Sequence, residues 1–571
     1  MVNSILFTVL QDVLYVLLLT LGAYFFGKVF YKIYKGEAVF FKKGTGKVEG
    51  WIYRLLGIDK NEEMSAKKYV CSILLFTLFC FILFMAVVML QEFLIFNPNN
   101  VKGMSWDLAF NTAASFITNT NWQAYAGETG LSYFSQMFVI TSQNFISGAV
   151  GIAVLFVLIR GFTRHETGKL GNFWCDITRI ILFMLPVCLF TSLIYVEQGI
   201  PQTLMGNVNY VGLDGTAATL YLGPVASQIS IKQFFSNGGG FYGTNSCYPF
   251  ENPTPLTNLI QMLSLLWIPA SMCFVFSMAT RRHSENGVVI KERAQGTTLY
   301  ITMLILLVVC LSVSTTCEYM GGIQNNLVSS IGNIEGKEVR FGIGQSALWS
   351  VATTCASNGS VNCMHDSLTP LSGMISMFLM MLGEIVFGGV GCGLYGMIGF
   401  AILTVFISGL MVGRTPEYIG KKIGSFDMKM VCIVILTPVL CLLLGTASTV
   451  LLEAAPEWLT NSGAHGFSEI LYAFASISGN NGSAFAGFNA DTVWTNVVGG
   501  FILLIVRFIP MIAVVYLASS LAKKKITPTT EGTLATNNAL FVGLLLGVIL
   551  IIGALSFFPA LALGPIADFI G

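Results

Sequence analysis

The dominant pattern in this sequence is a series of long apolar runs separated by polar connections. A helix needs about 20 apolar residues to cross the roughly 30 Å hydrocarbon core of a bilayer. Ten runs approach or exceed that length, and they predict an all-α polytopic membrane protein with ten transmembrane helices. They lie at Ile5–Gly27, Tyr69–Leu90, Met137–Leu158, Ile180–Val196, Leu259–Met278, Leu299–Val313, Met374–Met411, Val431–Val450, Val497–Ala518 and Ala539–Phe557.

Composition supports the same class. Of 571 residues, 54% are hydrophobic and 10% are charged, with a mean hydropathy of +0.73, whereas soluble domains carry about 25% charged residues. The net charge of +1 provides no basic surface for nucleic acid, so the expected environment is the lipid bilayer. The 13 cysteines form no C-x-x-C pair, which favours buried core residues over a metal site.

The distribution of Lys and Arg predicts the orientation. The connections at 28–68, 160–179, 281–293, 414–429 and 523–525 alternate in span order and hold 25 of the 30 basic residues. The opposite connections hold only Lys102, Lys232, Lys337 and Arg340. Because basic loops stay in the cytoplasm, both termini and the sparsely charged loops are expected outside.

Four of the outer loops share one pattern: a short semi-apolar segment leads into a cluster of Gly, Asn, Ser and Thr. With Asn121, Gly239, Gly359 and Gly482 as equivalents, the spacings are 118, 120 and 123 residues. This period predicts four span–pore-loop–span repeats, at 66-165, 166-285, 286-415 and 416-525. The first helix with its basic loop (1-65) and the last helix (526-571) lie outside the repeats. The semi-apolar segments are Trp106–Ile117, Ala226–Phe235, Ser346–Thr354 and Glu469–Ser476.

These short segments predict half-helices that cannot cross the membrane. Polypeptide backbone at that depth must be paired or must line water, and the C-terminus of a half-helix presents a negative dipole end to a cation. Four loops around one axis would form a ring of backbone carbonyl oxygens. The predicted filter residues, which would bind the ion through these carbonyls, are Thr118, Asn119, Thr120, Asn121, Gln123, Asn237, Gly238, Gly239, Gly240, Ser357, Asn358, Gly359, Ser360, Asn480, Asn481, Gly482 and Ser483.

The predicted filter contains no acidic residue. Rings of carboxylates suit divalent or general cation pores, whereas neutral carbonyls suit a weakly hydrated monovalent cation. The pattern therefore disfavours calcium and magnesium, and by itself it leaves potassium and sodium open.

Two of the apolar runs depart from a simple transmembrane helix. As one helix, Met374–Met411 would be about 57 Å long, so we expect a break at Gly388, Gly389, Gly391, Gly393 and Gly396. The alternative is that these glycines allow close helix packing. Arg507 lies within an apolar run, where a charge costs about 2.5–3.5 kcal/mol on insertion scales. It should face a cavity or a partner, the alternative being a buried structural ion pair.

Several motifs resemble the KdpA family, the potassium-binding subunits of Kdp potassium-transporting ATPases. They are Thr118–Gln123, Asn237–Phe241, Pro249–Pro253, Met364–Ser367, Gly383–Gly391, Gly413–Tyr418 and Asn480–Gly487. The third loop departs from the family, with Ser357–Ser360 where Cys-Gly-Ala is usual, and Cys247-Tyr248 replaces Ala-His. Backbone coordination tolerates both changes.

The resemblance implies high-affinity uptake of K+ across a bacterial cell (inner) membrane. It also implies a P-type ATPase catalytic subunit (KdpB), a small accessory subunit (KdpC) and often a small membrane peptide (KdpF). ATP would bind only to the partner, and no organic cofactor is expected. The chain itself has no catalytic motif, since Asp59-Lys60-Asn61 is the nearest approach to the D-K-T-G phosphorylation sequence.

The resemblance also implies roles for single residues. Gln123 lies at the filter's edge, and the break at Gly388, Gly389 and Gly391 gates the pore. Arg507 blocks free leak from the cavity beneath the filter, and Glu384 lines the route toward the ATPase subunit. The alternative function is an autonomous potassium channel or symporter of the four-repeat type.

Overall fold

The computed structural model describes residues 2–37, 39, 42–280, 295–321, 332–411, 413, 415–527 and 534–571. The basic connection 281–293 and Arg414, both used in the orientation argument, lie outside the described residues. The helices are α1 (Val2–Lys35), α2 (Lys42–Leu55), α3 (Ala66–Leu90), α4 (Trp106–Ile117), α5 (Gly127–Gly130), α6 (Ser142–Thr163), α7 (Phe173–Glu197), α8 (Val225–Phe234), α9 (Pro255–Thr280), α10 (Gln295–Met320), α11 (Gly342–Cys355), α12 (Pro370–Met381), α13 (Cys392–Met411), α14 (Ser425–Val450), α15 (Gly463–Gly479), α16 (Val493–Lys523), α17 (Ala539–Leu561) and α18 (Ala567–Ile570).

Only two small hairpins interrupt the helical architecture in the described part of the chain. β1 (Val208–Val211) pairs antiparallel with β2 (Ala217–Leu220), and β3 (Glu417–Tyr418) pairs with β4 (Lys421–Lys422). The described residues contain ten helices long and apolar enough to cross a membrane, which confirms the predicted fold class.

Most of the spanning helices are longer than the apolar runs that predict them. α7 begins at Phe173 rather than Ile180, because the Asn172 side chain accepts hydrogen bonds from the amides of Trp174 and Cys175 and caps the helix there. α1 continues past Gly27 to Lys35. Basic residues extend a span in this way because their long stems keep the charge near the membrane surface.

The long seventh run is broken, as expected, but the position of the break differs. α12 ends at Met381 and α13 begins at Cys392. Gly388, Gly389 and Gly391 lie in the break, whereas Gly393 and Gly396 lie inside α13. The spanning segment is therefore Cys392–Met411 rather than Met374–Met411.

Each half-helix lies between two spans in the chain: α4 between α3 and α6, α8 between α7 and α9, α11 between α10 and the α12–α13 pair, and α15 between α14 and α16. The span after the half-helix is the more buried one. In α6, 94% of the apolar stretch is buried, against 22% in α3. The central helices therefore surround the half-helices, while the peripheral ones present apolar side chains outward, as expected in lipid.

Candidate functional site

The half-helices end in a shared backbone geometry. In three of them, a residue in the left-handed region follows the helix, and the next amide donates to the carbonyl five residues back. The left-handed residues are Asn119 (φ 68°), Ser236 (φ 51°) and Asn480 (φ 56°). The hydrogen bonds are Thr120 N to Ser115 O (3.0 Å), Asn237 N to Lys232 O (3.0 Å) and Asn481 N to Ser476 O (2.9 Å). This closure turns each loop sharply away from its helix end.

The same geometry corrects the register of the repeat. The residues after these amides are Asn121, Gly238 and Gly482, so the second loop contributes Gly238, one position before Gly239. The third loop is aligned with the fourth by a hydrogen bond that both turns contain. Ser360 N donates to Asn358 Oδ1 (3.0 Å), in the same way that Ser483 N donates to Asn481 Oδ1 (3.1 Å). Gly359 therefore corresponds to Gly482.

The first loop forms direct hydrogen bonds with both the second and the fourth loop. Asn119 Nδ2 donates to Ser236 O (2.9 Å), and Gly238 N donates to Thr120 O (3.2 Å), which joins the first loop to the second. Asn480 Nδ2 donates to Thr120 Oγ1 (3.0 Å), which joins the fourth loop to the first.

The third loop closes the ring. Asn358 Nδ2 donates to Gln233 Oε1 on α8 (3.2 Å). Ser357 Oγ donates to Asn480 O (2.6 Å), and Asn481 Nδ2 donates to Ala356 O (2.8 Å). The four loops are therefore linked in cyclic order, first to second to third to fourth to first.

The glycines allow the loops to approach closely. A Cβ at Gly238 would lie 2.6 Å from Asn481 O, and one at Gly359 would lie 2.5 Å from Ser483 N. Gly482 has φ 105° and would place its Cβ 2.8 Å from the Gly238 Cα. A side chain at any of the three would push a neighbouring loop aside.

The predicted filter residues come together in this ring, and most are buried. Asn121 donates through Nδ2 to Asn144 Oδ1 on α6 (2.6 Å). Gln123 lies at the edge, where its Oε1 accepts from Gly240 N (3.1 Å). The predicted filter residues include no acidic or basic side chain, so backbone carbonyls, amide groups and hydroxyl groups are the polar groups they offer to an ion.

A cavity of about 60 Å³ adjoins the fourth loop at Ser478, Gly479 and Asn480. Glu384, from the break between α12 and α13, and Arg507, from α16, both line it. Both side chains are buried, at 2% and 3% exposure. Within the described part of the chain, both Glu384 carboxylate oxygens and Arg507 Nη2 lack a hydrogen-bond partner. This geometry favours the cavity position for Arg507 over a structural ion pair.

Comparison with known proteins identifies the family. The family model described as "KdpA: Potassium-transporting ATPase A subunit" matches residues 13–570. Two relatives, each called a potassium-transporting ATPase potassium-binding subunit, are 52% identical to this chain. The one from Listeria monocytogenes serovar 1/2a aligns over 565 residues, covering 99% of both chains. The one from Clostridium botulinum (strain Alaska E43 / Type E3) aligns over 581 residues, covering 98% of both.

The chain belongs to the KdpA family. This confirms the resemblance predicted from the loop motifs. A crystal structure of the potassium transporter TrkH from Vibrio parahaemolyticus matches this KdpA-family chain with a TM-score of 0.50 and 14% identity, over 88% of this chain and 96% of that one. At that identity the match concerns the fold alone.

The sequence did not predict two buried polar groups beside the four loops of this KdpA-family chain. Asn144 on α6 contacts two of them, since its Oδ1 accepts from Asn121 and its backbone oxygen accepts from Asn237 Nδ2 (3.0 Å). Lys232, counted only as an outer basic residue, forms a buried ion pair with Glu251. The available signal for Lys232 was a basic residue inside a semi-apolar half-helix.

A third polar cluster joins the segment after the third loop to α15. Asp366, His465 and Glu469 lie close enough to hold a metal ion. Each already has protein partners: Gly487 N donates to Asp366 Oδ2 (3.0 Å), and Asn461 Nδ2 donates to Glu469 Oε1 (2.8 Å). We therefore interpret the cluster as a cross-link between loops.

Proposed function

We propose that this chain is the potassium-binding and translocating subunit of an ATP-driven, high-affinity potassium uptake complex. It selects K+ at the outer face through the backbone carbonyls of the four loops, and it passes the ion to a partner ATPase subunit. The observation that carries this proposal is the closed ring of loops, each following the C-terminal end of a half-helix.

The chemistry of the ring supports a monovalent cation. Carbonyl oxygens replace the weakly held water of K+ without adding formal charge. Four helix C-termini add a negative potential at the ring. The names of the relatives supply the choice of potassium over sodium, which the carbonyl chemistry alone leaves open.

The family supports the division of labour between subunits. ATP hydrolysis belongs to a P-type ATPase subunit (KdpB), and a small accessory subunit (KdpC) and a small membrane peptide (KdpF) complete the proposed complex. The complex lies in the bacterial cell membrane, with the pore loops and both termini outside, as the basic residues indicate. In this proposal the chain contains four span–pore-loop–span repeats, at 66-165, 166-285, 286-415 and 416-525.

The cavity beside the fourth loop marks the proposed exit from the filter. Glu384 offers an unpartnered carboxylate to a cation, and Arg507 supplies a positive charge that opposes free leak. The backbone at Gly388, Gly389 and Gly391 forms the gate between the filter and this cavity.

Substituting Gly239→Ala tests the filter. A Cβ there would lie 2.5 Å from Gln123 Oε1 and 2.6 Å from Asn121 O, so it displaces a proposed carbonyl ligand. In the complete complex, we expect the KM for K+ in K+-stimulated ATP hydrolysis to rise at least about tenfold, the change for about 1.4 kcal/mol of lost binding.

The matched control is Gly547→Ala in α17, where a Cβ meets nothing within 4 Å. Its KM should equal that of the unmodified complex. An unchanged KM in Gly239→Ala would exclude this loop from the ion-binding site and with it the proposed filter.

A further inference from the structure

An ion pair lies buried beside the second filter loop. Lys232 is in the last turn of α8, and its ammonium group contacts the Glu251 carboxylate; both side chains are 0% exposed. Taking two charges out of water is costly, so a buried pair is often no more stable than apolar residues of the same volume. A cation at this helix end also weakens the dipole field that attracts K+. Stability alone therefore does not account for the pair.

The pair connects the two ends of the loop. At the entrance, the carbonyl oxygen of Lys232 accepts from Asn237 N (3.0 Å). At the exit, Glu251 Oε2 accepts from Tyr242 N (3.4 Å) and faces Gly240, where a Cβ would lie 2.8 Å from it. The charge–charge contact between Lys232 and Glu251 thus joins the two ends of the loop.

The carboxylate is itself held in place. Ser246 Oγ donates to Glu251 Oε1 (3.3 Å), and Gln261 Nε2 on α9 donates to the Glu251 carbonyl (2.8 Å). Lys232 Nζ also donates to Asn245 Oδ1 (3.1 Å). The exit of the loop is therefore attached both to its own half-helix and to the following span.

The second loop has a particular need for such a connection. Between Asn237 and Phe241 it consists of three glycines, which have no side chains with which to contact the other loops. In the fourth loop, a hydroxyl group on the half-helix connects the helix to the loop, because Ser476 Oγ accepts from Gly482 N (3.0 Å). The half-helices α4, α11 and α15 contain no Lys or Arg.

We propose that the Lys232–Glu251 ion pair is a positioning device that sets the potassium affinity and selectivity of the second loop, by fixing where the carbonyls of Gly238, Gly239 and Gly240 point. This inference rests on the proposed filter function. Neither side chain contacts the ion; both act through the glycine backbone.

The test uses the complete complex with its ATPase partner. Lys232→Met keeps the length of the side chain but leaves Glu251 unpaired. We expect the KM for K+ in ATP hydrolysis to rise at least about tenfold, with kcat within about twofold and weaker discrimination against Na+. The reason is that removing one partner of a buried ion pair leaves an uncompensated charge that displaces its surroundings. Lys232→Met combined with Glu251→Gln leaves no unpaired charge, so its effect should be smaller than the product of the two single effects.

The matched control is Lys337→Met, which breaks another buried ion pair, with Glu318 (side chains 2% and 0% exposed), away from the predicted filter residues. Its KM should stay unchanged. An equal rise in KM there, or lower yield of Lys232→Met complex with an unchanged KM, would show a purely structural role and overturn the inference.

If the Lys232→Met complex does not assemble, the isosteric Glu251→Gln variant is used in its place. A raised KM for K+ is again expected, and an unchanged KM would again overturn the inference. Gly239→Ala in the same assay separates the two proposals. A raised KM there with normal KM in the Lys232 and Glu251 variants refutes the positioning role alone, whereas a normal KM in Gly239→Ala refutes the filter.

Discussion

At the scale of single residues, one histidine joins three separate segments of the chain. His465, in the first turn of α15, contacts Asp366 Oδ1 through Nε2 (3.1 Å) and Asp568 Oδ2 through Nδ1 (2.9 Å). The hydrogen bond to Asp366, followed by that to Asp568, raises the pKa of His465 from 6.5 to about 9. The imidazolium thereby ties the third loop and the C-terminal helix α18 to the fourth half-helix.

This contact predicts a pH dependence of stability. Because the folded-state pKa of His465 is the higher one, its stabilising contribution is complete below about pH 6.5 and is lost as pH rises toward about 9. We expect the Tm of the detergent-solubilised protein to fall across this window, and to fall less in His465→Gln. Thermal unfolding of both proteins at several pH values measures the difference.

His365 does not change its charge in this pH range and therefore does not affect the comparison. It is fully buried, and burial lowers its pKa to about 3, so it stays neutral throughout the same window. If the unmodified protein and His465→Gln lost stability in parallel between pH 6.5 and 9, the proposed cross-link would contribute nothing.

At the scale of elements, the break between α12 and α13 depends on contacts with its neighbours. Gly388 N donates to Cys355 O at the end of α11 (3.1 Å), which holds the break against the third half-helix. Gly391 has φ 91°, and a Cβ there would meet the backbone of Gly151 on α6 closer than 3.0 Å. The break thus fits between two helices with no space for a side chain.

Gly391→Ala should therefore impair the gate more than the filter. A side chain in this left-handed conformation is strained and displaces the α6 backbone. We expect kcat for K+-stimulated ATP hydrolysis to fall at least about fivefold, since 1 kcal/mol corresponds to roughly that factor, with a KM for K+ close to normal. Steady-state kinetics of the complete complex measure both values.

Gly543→Ala is the matched control, because Gly543 lies in α17, where an added Cβ would meet nothing within 4 Å. Both constants should stay unchanged. A raised KM without a change in kcat for Gly391→Ala would place this glycine in ion binding instead of gating.

At the scale of the whole molecule, the proposed function combines ion selection by the loops with a barrier at the cavity. The ring of loops lies beside a cavity that is lined by Arg507 from α16 and Glu384 from the break. A cation that leaves the proposed filter would meet the buried guanidinium group of Arg507, whose Nη2 has no hydrogen-bond partner in the described structure. Such a charge raises the energy of a passing cation at short range.

This arrangement predicts that the chain alone does not transport potassium. Expressed without ATPase partners in cells lacking other potassium uptake, it should give no K+ uptake above background, while co-expression of the partner subunits restores uptake. Rb+ tracer uptake measures both. Arg507→Gln should add a leak in the absence of partners, since it removes the repelling charge. Strong uptake by the unmodified chain alone would favour the channel or symporter alternative.

The sequence by itself determined the number of spans, the approximate period of the four loops and their neutral chemistry. These are local properties: apolar run length sets membrane insertion, and Gly/Asn clusters after a short apolar segment mark a loop that cannot continue as a helix. For the same reason the break in the seventh run was predictable, since about 57 Å of helix exceeds the bilayer.

Only the tertiary structure decided the register of the second loop at Gly238, the cyclic hydrogen bonds between loops, and the pairing of Lys232 with Glu251. It also decided that the break ends at Cys392, which leaves Gly393 and Gly396 helical. The hydrogen bonds between successive loops join segments roughly 120 residues apart in the sequence, and the bond between Asn480 and Thr120 joins segments 360 residues apart. Local composition cannot specify which of several polar groups meet when four repeats pack around one axis, because that choice is made by packing across the repeats.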